Sequence, residues 1–119
     1  MRVKFRIALY NREGKRLSKE EFIKSPSALY RGMRYITEFK YLEATKWLML
    51  AQDSKEKYLL LGLLNIALGQ EDEGFEFLRE ASKHPPATHY KIAVEKPEEN
   101  LRVFIERTEA SLPDFLLSL

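Results

Sequence analysis

Two histidines, no cysteine and a scatter of carboxylates are the raw material for chemistry in this 119-residue chain. His84 and His89 flank Pro85-Pro86, and a proline pair denies them the helical spacing that would turn both rings toward one ion. No thiolate is present to complete a zinc site, so no metal site is expected, and both histidines read as surface or loop side chains. Glu71, Asp72, Glu73, Glu76 and Glu80 gather where a helix begins, a place its dipole favours for anions. Glu76 and Glu80 each have a cation, Arg79 or Lys83, within one turn. A catalytic carboxyl pair needs burial to split its two pKa values, and nothing in this acidic run supplies it. Ser18, Ser25, Ser54 and Ser111 all precede helical segments and read as caps. There is no Gly-rich phosphate loop. The expectation is a non-enzymatic protein without a cofactor.

The remaining chemically suggestive constellation is basic. Arg2, Lys4 and Arg6 alternate with Val3, Phe5, Ile7 and Leu9, which places the cations on one face of a half-buried strand. With Arg12, Lys15 and Arg16 they form a candidate polyanion-binding segment, in which the cations would meet nucleic-acid phosphates and Tyr10 would offer a stacking surface. A solvated strand face, or an edge protected from aggregation, has the same pattern. Charge is unevenly spread. Residues 1–40 carry eleven Lys/Arg against four Asp/Glu, and residues 41–119 carry nine against fourteen, for a total of +2. Such asymmetry marks a polyanion-binding end, or a basic end that docks on its own acidic end or on a second copy.

The length fits one domain over residues 1–119, large enough to bury roughly 65% of its unfolded surface. With 45% apolar residues and only five Gly and five Pro, the composition is globular. The first residues are interrupted by cations and do not resemble a secretory signal. The longest apolar run, Tyr58 to Leu64, is far short of the ~20 residues that span a bilayer. A soluble cytoplasmic protein with no membrane partner is expected. The 32% charged fraction, rich in Lys and Glu without Cys, points to a heat-adapted source.

Several elements must position these residues. A strand and turn occupy 1–17, with Gly14 suited to positive φ and Lys15-Arg16-Leu17 as a short return strand. Ser18 and Glu21 fit a capping box for a brief helical turn. Ser25-Pro26 predicts a helix start. From there helical spacing runs to about Gln52, with a change of phase near Thr37 to Tyr41 that divides it into two helices. Asp53 and Ser54 cap a helix running to Leu68, which Gly69 ends. The next helix, from Glu71 to about Lys83, is stopped by Pro85-Pro86. Thr88 to Val94 alternates and suits a strand that pairs with the first, over a helical layer. Pro97 predicts a helix to about Ala110, with Leu101, Phe104, Ile105 and Thr108 on one side. A last short helix, Asp114 to Leu119, starts at Ser111-x-Pro113.

Small residues recur at matched intervals. Gly32, Ala44 and Ala51 are each followed 30 residues later by Gly62, Gly74 and Ala81. Small residues at facing positions let helix backbones approach closely. Tyr58-x2-Leu61-Gly62-x2-Asn65, then Gly74-x3-Leu78, Ala81 and Pro86, resembles the helical hairpin of the tetratricopeptide repeat. Gly32-x2-Tyr35, Ala44-x3-Leu48 and Ala51 form a fainter upstream copy. The departures are Ala28 and Arg31 for the usual aromatic and Leu, Asn65 for Tyr, Gly74 for Ala, and a spacing shorter than the family's 34 residues. The resemblance covers residues 25–86. It implies a mainly α fold of two hairpins, capped by the N-terminal strand, a strand at 88–94 and helices within 97–119.

The resemblance further implies that the first helix of each hairpin lines a concave groove. Its lining would be Leu29, Met33 and Ile36 from one helix and Leu59, Leu63 and Ile66 from the next. The helix from Tyr58 to Leu68 is apolar almost all round, with Asn65 its only polar side chain, so it must be covered on every side. Either the 97–119 segment covers it, or a partner helix or second copy does. The apolar terminal run Leu112 to Leu119 either docks on its own domain or serves a partner. The reading is of a protein-interaction adaptor or chaperone-like module that binds an apolar helix or peptide. The alternative is a nucleic-acid-binding accessory protein using the basic segment.

Overall fold

The computed structural model describes residues 2–86, 89–106 and 110–119. Strand β1 (Arg6–Asn11) opens the fold. It starts later than the alternation from Val3 suggests, because the Lys4 amide donates to the Ala67 carbonyl at 2.9 Å and so ties the lead-in to a helix end rather than to a sheet. Asn11 makes the following turn. Its Oδ1 accepts from the amides of Glu13 and Lys15, and Gly14 takes φ +91°. The expected return strand reduces to a single bridge between Tyr10 and Arg16.

Helix α1 (Lys19–Phe22) is one turn long. Its expected capping box is absent, since the Ser18 hydroxyl donates to Glu20 Oε2 at 2.6 Å and no side chain caps the backbone. Phe22 is buried among Tyr30 and Tyr90. Helix α2 (Ala28–Thr37) starts two residues later than Ser25-Pro26 predicts. Ser27 is the cap and accepts from the Tyr30 amide at 3.1 Å. The break between α2 and α3 (Tyr41–Leu50) lies where the stripe changes phase. Phe39 sits there at φ +59°. That left-handed position is uncommon for an aromatic residue; its ring packs edge-on against Tyr41 with centroids 5.0 Å apart.

Helix α4 (Lys55–Ala67) is capped by Ser54 and followed at Gly69 by φ +91°; α5 (Glu71–Ala81) comes next. Every residue of α4 from Leu59 to Ala67 is buried, as an apolar circumference requires. Asn65 satisfies its amide on the Leu61 carbonyl one turn back, at 2.8 Å. Two lysines near the start of α4 are also buried, and both cap neighbouring helices. Lys57 Nζ donates to the Ala51 carbonyl at the end of α3 at 2.8 Å. Lys55 Nζ donates to the Ala81 carbonyl at the end of α5 at 2.9 Å. Each cation occupies the negative end of a helix dipole and satisfies a carbonyl that has no intrahelical partner.

The helices pack as two antiparallel pairs, α2 with α3 and α4 with α5. A Cβ placed on Gly32 would lie 2.6 Å from Leu48 Cγ, and one on Gly62 would lie 2.6 Å from Leu78 Cδ2. The 30-residue offset read from the sequence therefore relates two equivalent crossings. Gly32, Ala44, Ala51, Gly62, Gly74 and Ala81 are all buried.

Strand β2 (Tyr90–Lys96) pairs antiparallel with β1, with Arg6 opposite Glu95 and Tyr10 opposite Lys91. The strand predicted from Thr88 thus lies two residues later, and Thr88 itself is outside the described residues. The predicted helix from Pro97 to Ala110 does not form. Pro97–Glu99 is a single 3₁₀ turn and Asn100 adopts φ +53°. The chain then reverses into β3 (Leu101–Phe104), antiparallel to β2. Thr108, placed on that helix by its spacing, is outside the described residues. The sheet order is β1-β2-β3. Helix α6 (Leu112–Leu117) sends Leu112 and Leu116 into the main core. Lys96 Nζ donates to the Leu119 carbonyl at 2.8 Å. The terminal run therefore docks on its own domain.

Among the described residues the fold is thus six α-helices with a three-stranded antiparallel sheet. One face of the sheet contributes Ile7, Leu9, Ile92 and Val94 to the helical core. No helix among the described residues is long and apolar enough to cross a membrane.

Candidate functional site

The six residues expected to line an open groove do not line one together. Met33, Ile36, Leu59, Leu63 and Ile66 are buried and Leu29 is half-buried, all in one core with the inner face of the sheet. β1 packs against both α2 and α4, the two helices that would form the concave wall. The groove is filled from within, and chiefly by strands rather than by a helical 97–119 segment. The physical cause is the alternation of Phe5, Ile7 and Leu9, which offers these helices an apolar surface of matching kind.

The basic segment is dispersed. Lys4 pairs with Glu71 on α5. Arg12 and Lys15 are exposed on the turn after β1, and Arg2 is exposed ahead of it. Arg6 lies over the Phe39 ring at 4.1 Å. Only Arg6 and Arg16 come together on the outer face of the sheet, through the strand position of one and the Tyr10–Arg16 bridge of the other. Tyr10 is buried against that face and is not the open stacking surface the sequence suggested.

That outer face holds a cluster that reading the basic segment alone missed. Its rows follow the strand register: Arg6, Glu95 and Arg102 lie side by side, and Ala8, Ala93 and Phe104 lie beside them. Ala8 and Ala93 are too small to fill their row, so the Tyr10 ring leans across them and donates its hydroxyl to Glu95 Oε2 at 2.7 Å. Arg102 Nε donates to the same oxygen at 2.8 Å, and Arg16 pairs with Oε1. Glu95 is only 5% exposed. Burial opposes its charge, but the three donors outweigh burial and hold its carboxyl below the ordinary range. Burial and the bond to Glu95 push the Tyr10 phenol up. A carboxylate held ionised by two arginines is a poor proton donor; it positions guanidinium groups instead. The available signal was the alternation in β2, which sets Lys91, Ala93 and Glu95 on the face opposite Tyr90, Ile92 and Val94.

The arginine heads keep outward-facing capacity. Arg16 and Arg102 side chains are about half exposed, and both line a surface cleft of about 400 Å³ with Glu95 and Asn100. Their guanidiniums lie 5.3 and 5.4 Å from the Tyr10 ring centroid. Phe104, 40% exposed, meets Tyr10 edge-on at 5.1 Å, and Lys91 Nζ lies 5.6 Å from its centroid.

The helical layer shows a different kind of surface. Leu42, Met49 and Leu50 on α3 are 59%, 54% and 73% exposed. Trp47 on the same helix is half-buried, with Arg31 4.6 Å above its ring. Of the histidines, His84 stacks on Tyr58 at 5.2 Å and His89 lies edge-on to Tyr90. Among the described residues, no three His, Asp or Glu side chains gather as a metal-ion site. No protein-family model matches the chain, and comparisons with curated proteins and with solved structures find no match either.

Proposed function

We propose that this chain is a non-enzymatic protein-interaction module, an adaptor or chaperone-like domain built from two tetratricopeptide-like hairpins, whose partner presents an apolar helix. The hairpin reading is supported by the equivalent Gly32–Leu48 and Gly62–Leu78 crossings. The binding surface in this reading is the outside of α3, since the concave side is filled by the chain's own sheet. The observation that carries it is the exposure of Leu42, Met49 and Leu50. Leu42 and Met49 are two turns apart and share a face. Exposed leucines scattered singly need no explanation, but three on one ten-residue helix supply the anchor spacing by which helices recognise one another.

A direct test titrates the full chain with a labelled amphipathic helical peptide carrying leucines at i, i+4 and i+7. Saturable binding that weakens at least about tenfold in a Leu42→Lys/Met49→Lys variant supports the reading. Absence of saturable binding, or equal binding by that variant, overturns it. Sedimentation of the unliganded chain runs alongside. A concentration-dependent doubling of mass, abolished by the same substitutions, would replace the partner helix with a second copy.

A further inference from the structure

From the outer face of the sheet we infer a second binding surface, for single-stranded nucleic acid, with Phe104 as the base-stacking platform and Arg6, Arg16, Lys91 and Arg102 as the phosphate contacts. This inference is independent of the α3 surface.

Charge complementarity is the first support. The outward positions of β1, β2 and β3, with the bridging Arg16, hold four cations and one carboxylate. That carboxylate, Glu95, is buried and already committed to Tyr10, Arg16 and Arg102. The carboxylate therefore holds two guanidiniums in place, and four cations against one anion still leave this face strongly positive. Arg102 spends Nε on Glu95 and Arg16 spends Nη2. A guanidinium has five donors, so both heads retain N–H groups for phosphate oxygens, at the rim of the 400 Å³ cleft. Fixing the heads beforehand lowers the entropy lost when a ligand binds.

The aromatic is the second support, and it selects among polyanions. Phe104 is the exposed large apolar side chain of this basic face. An exposed phenylalanine among cations has no role in gripping phosphate alone, but single-stranded bases stack on such rings while cations follow the backbone. A duplex keeps its bases inside the stack and cannot use the ring in this way. An acidic peptide would use the cations and leave the ring idle.

The experiment is fluorescence anisotropy of a labelled, mixed-sequence single-stranded RNA of roughly 12 nucleotides, titrated with the full chain. If four phosphate contacts form, raising salt from about 50 to about 200 mM weakens binding roughly fifty-fold. Phe104→Leu keeps apolar volume but removes the aromatic face, and is expected to weaken binding about tenfold. Lys91→Gln, which leaves the Glu95 cluster intact, is expected to reduce the salt slope by about 0.7. Thermal unfolding checks that both variants fold. Three results would overturn the inference: no binding at about 50 mM salt, binding indifferent to Phe104→Leu, or equal affinity for a polyglutamate of the same length. The last two would make the face a general polyanion surface.

Discussion

Gly62 and Gly74 meet backbone to backbone. A Cβ on Gly62 would stand 3.0 Å from the Gly74 carbonyl oxygen, and one on Gly74 would stand 2.9 Å from the Gly62 carbonyl oxygen. The upstream crossing is looser, because a Cβ on Gly32 would stand 3.4 Å from the Ala44 carbonyl, an ordinary contact. The difference follows from Ala44 occupying the position that Gly74 holds in the second pair.

Alanine at these sites therefore has unequal effects. Alanine is favoured over glycine within a helix by about 1 kcal/mol, while overpacking costs about 1–3 kcal/mol. At Gly74 a Cβ would meet the Ile66 side chain and also, at 2.9 Å, the Gly62 carbonyl oxygen, a backbone atom that cannot swing aside, so Gly74→Ala should destabilise by about 1–2 kcal/mol net. At Gly32 the closest atoms belong to the Leu48 side chain, which can shift, so Gly32→Ala should cost less than about 1 kcal/mol. Urea unfolding of both variants checks the order. Equal effects would remove the distinction between the two crossings.

These spacings were legible in the sequence because a small residue leaves a specific mark wherever two backbones touch. The break near Phe39 was legible because the apolar stripe moves to another side of the helix there. β3 was misread for a reason equally specific. Leu101, Phe104 and Ile105 fall at i, i+3 and i+4, the spacing of a helix face, and a four-residue strand offers too few alternations to compete with it. The contrary signal was local: Asn100, a residue type tolerant of left-handed backbone, follows a proline turn. The Glu95 cluster was harder still. Its members Tyr10, Arg16, Glu95 and Arg102 come from distant parts of the chain, and only strand register brings them into adjoining rows. The closure of the groove had the same cause, since no periodicity within α2 or α4 reveals which element lies on top.

Lys57 should matter far more than its charge type suggests. Its Nζ contacts the Ala51 and Met49 carbonyls, at 2.8 and 3.3 Å. Lys57→Met keeps the stem but leaves the buried Ala51 carbonyl unpaired, a loss of about 1–3 kcal/mol. The exposed Lys83–Glu80 pair is the control, and Lys83→Met should change stability by less than about 1 kcal/mol. Chemical denaturation of both variants decides the matter; similar small losses would mean that Lys57 does not hold the end of α3.

Acid should loosen the sheet through Glu95. Its folded pKa is depressed below the ordinary 4.5, so the folded state binds the carboxyl proton less readily than the unfolded state does. The stabilisation is complete above the unfolded value, falls as pH drops through 4.5, and is gone once pH passes below the folded value. Glu95→Gln should cost about 2 kcal/mol near neutral pH, and the gap to the parent chain should narrow as pH falls below the ordinary carboxyl value. Denaturant titrations across that range test the sign. A gap that widens toward acid would contradict it.

The pairing of β1 with β2 joins segments far apart in the chain, with Arg6 opposite Glu95. During synthesis the opening strand finds no neighbour in a sheet until the ribosome has added roughly 80 more residues, a wait of about 4–16 s at usual elongation rates. Throughout that interval the nascent helix pairs lack a finished lid, and the oily sides of α2 and α4 are open to solvent or to a chaperone. The completed molecule hides the very surface that its own biosynthesis leaves uncovered longest.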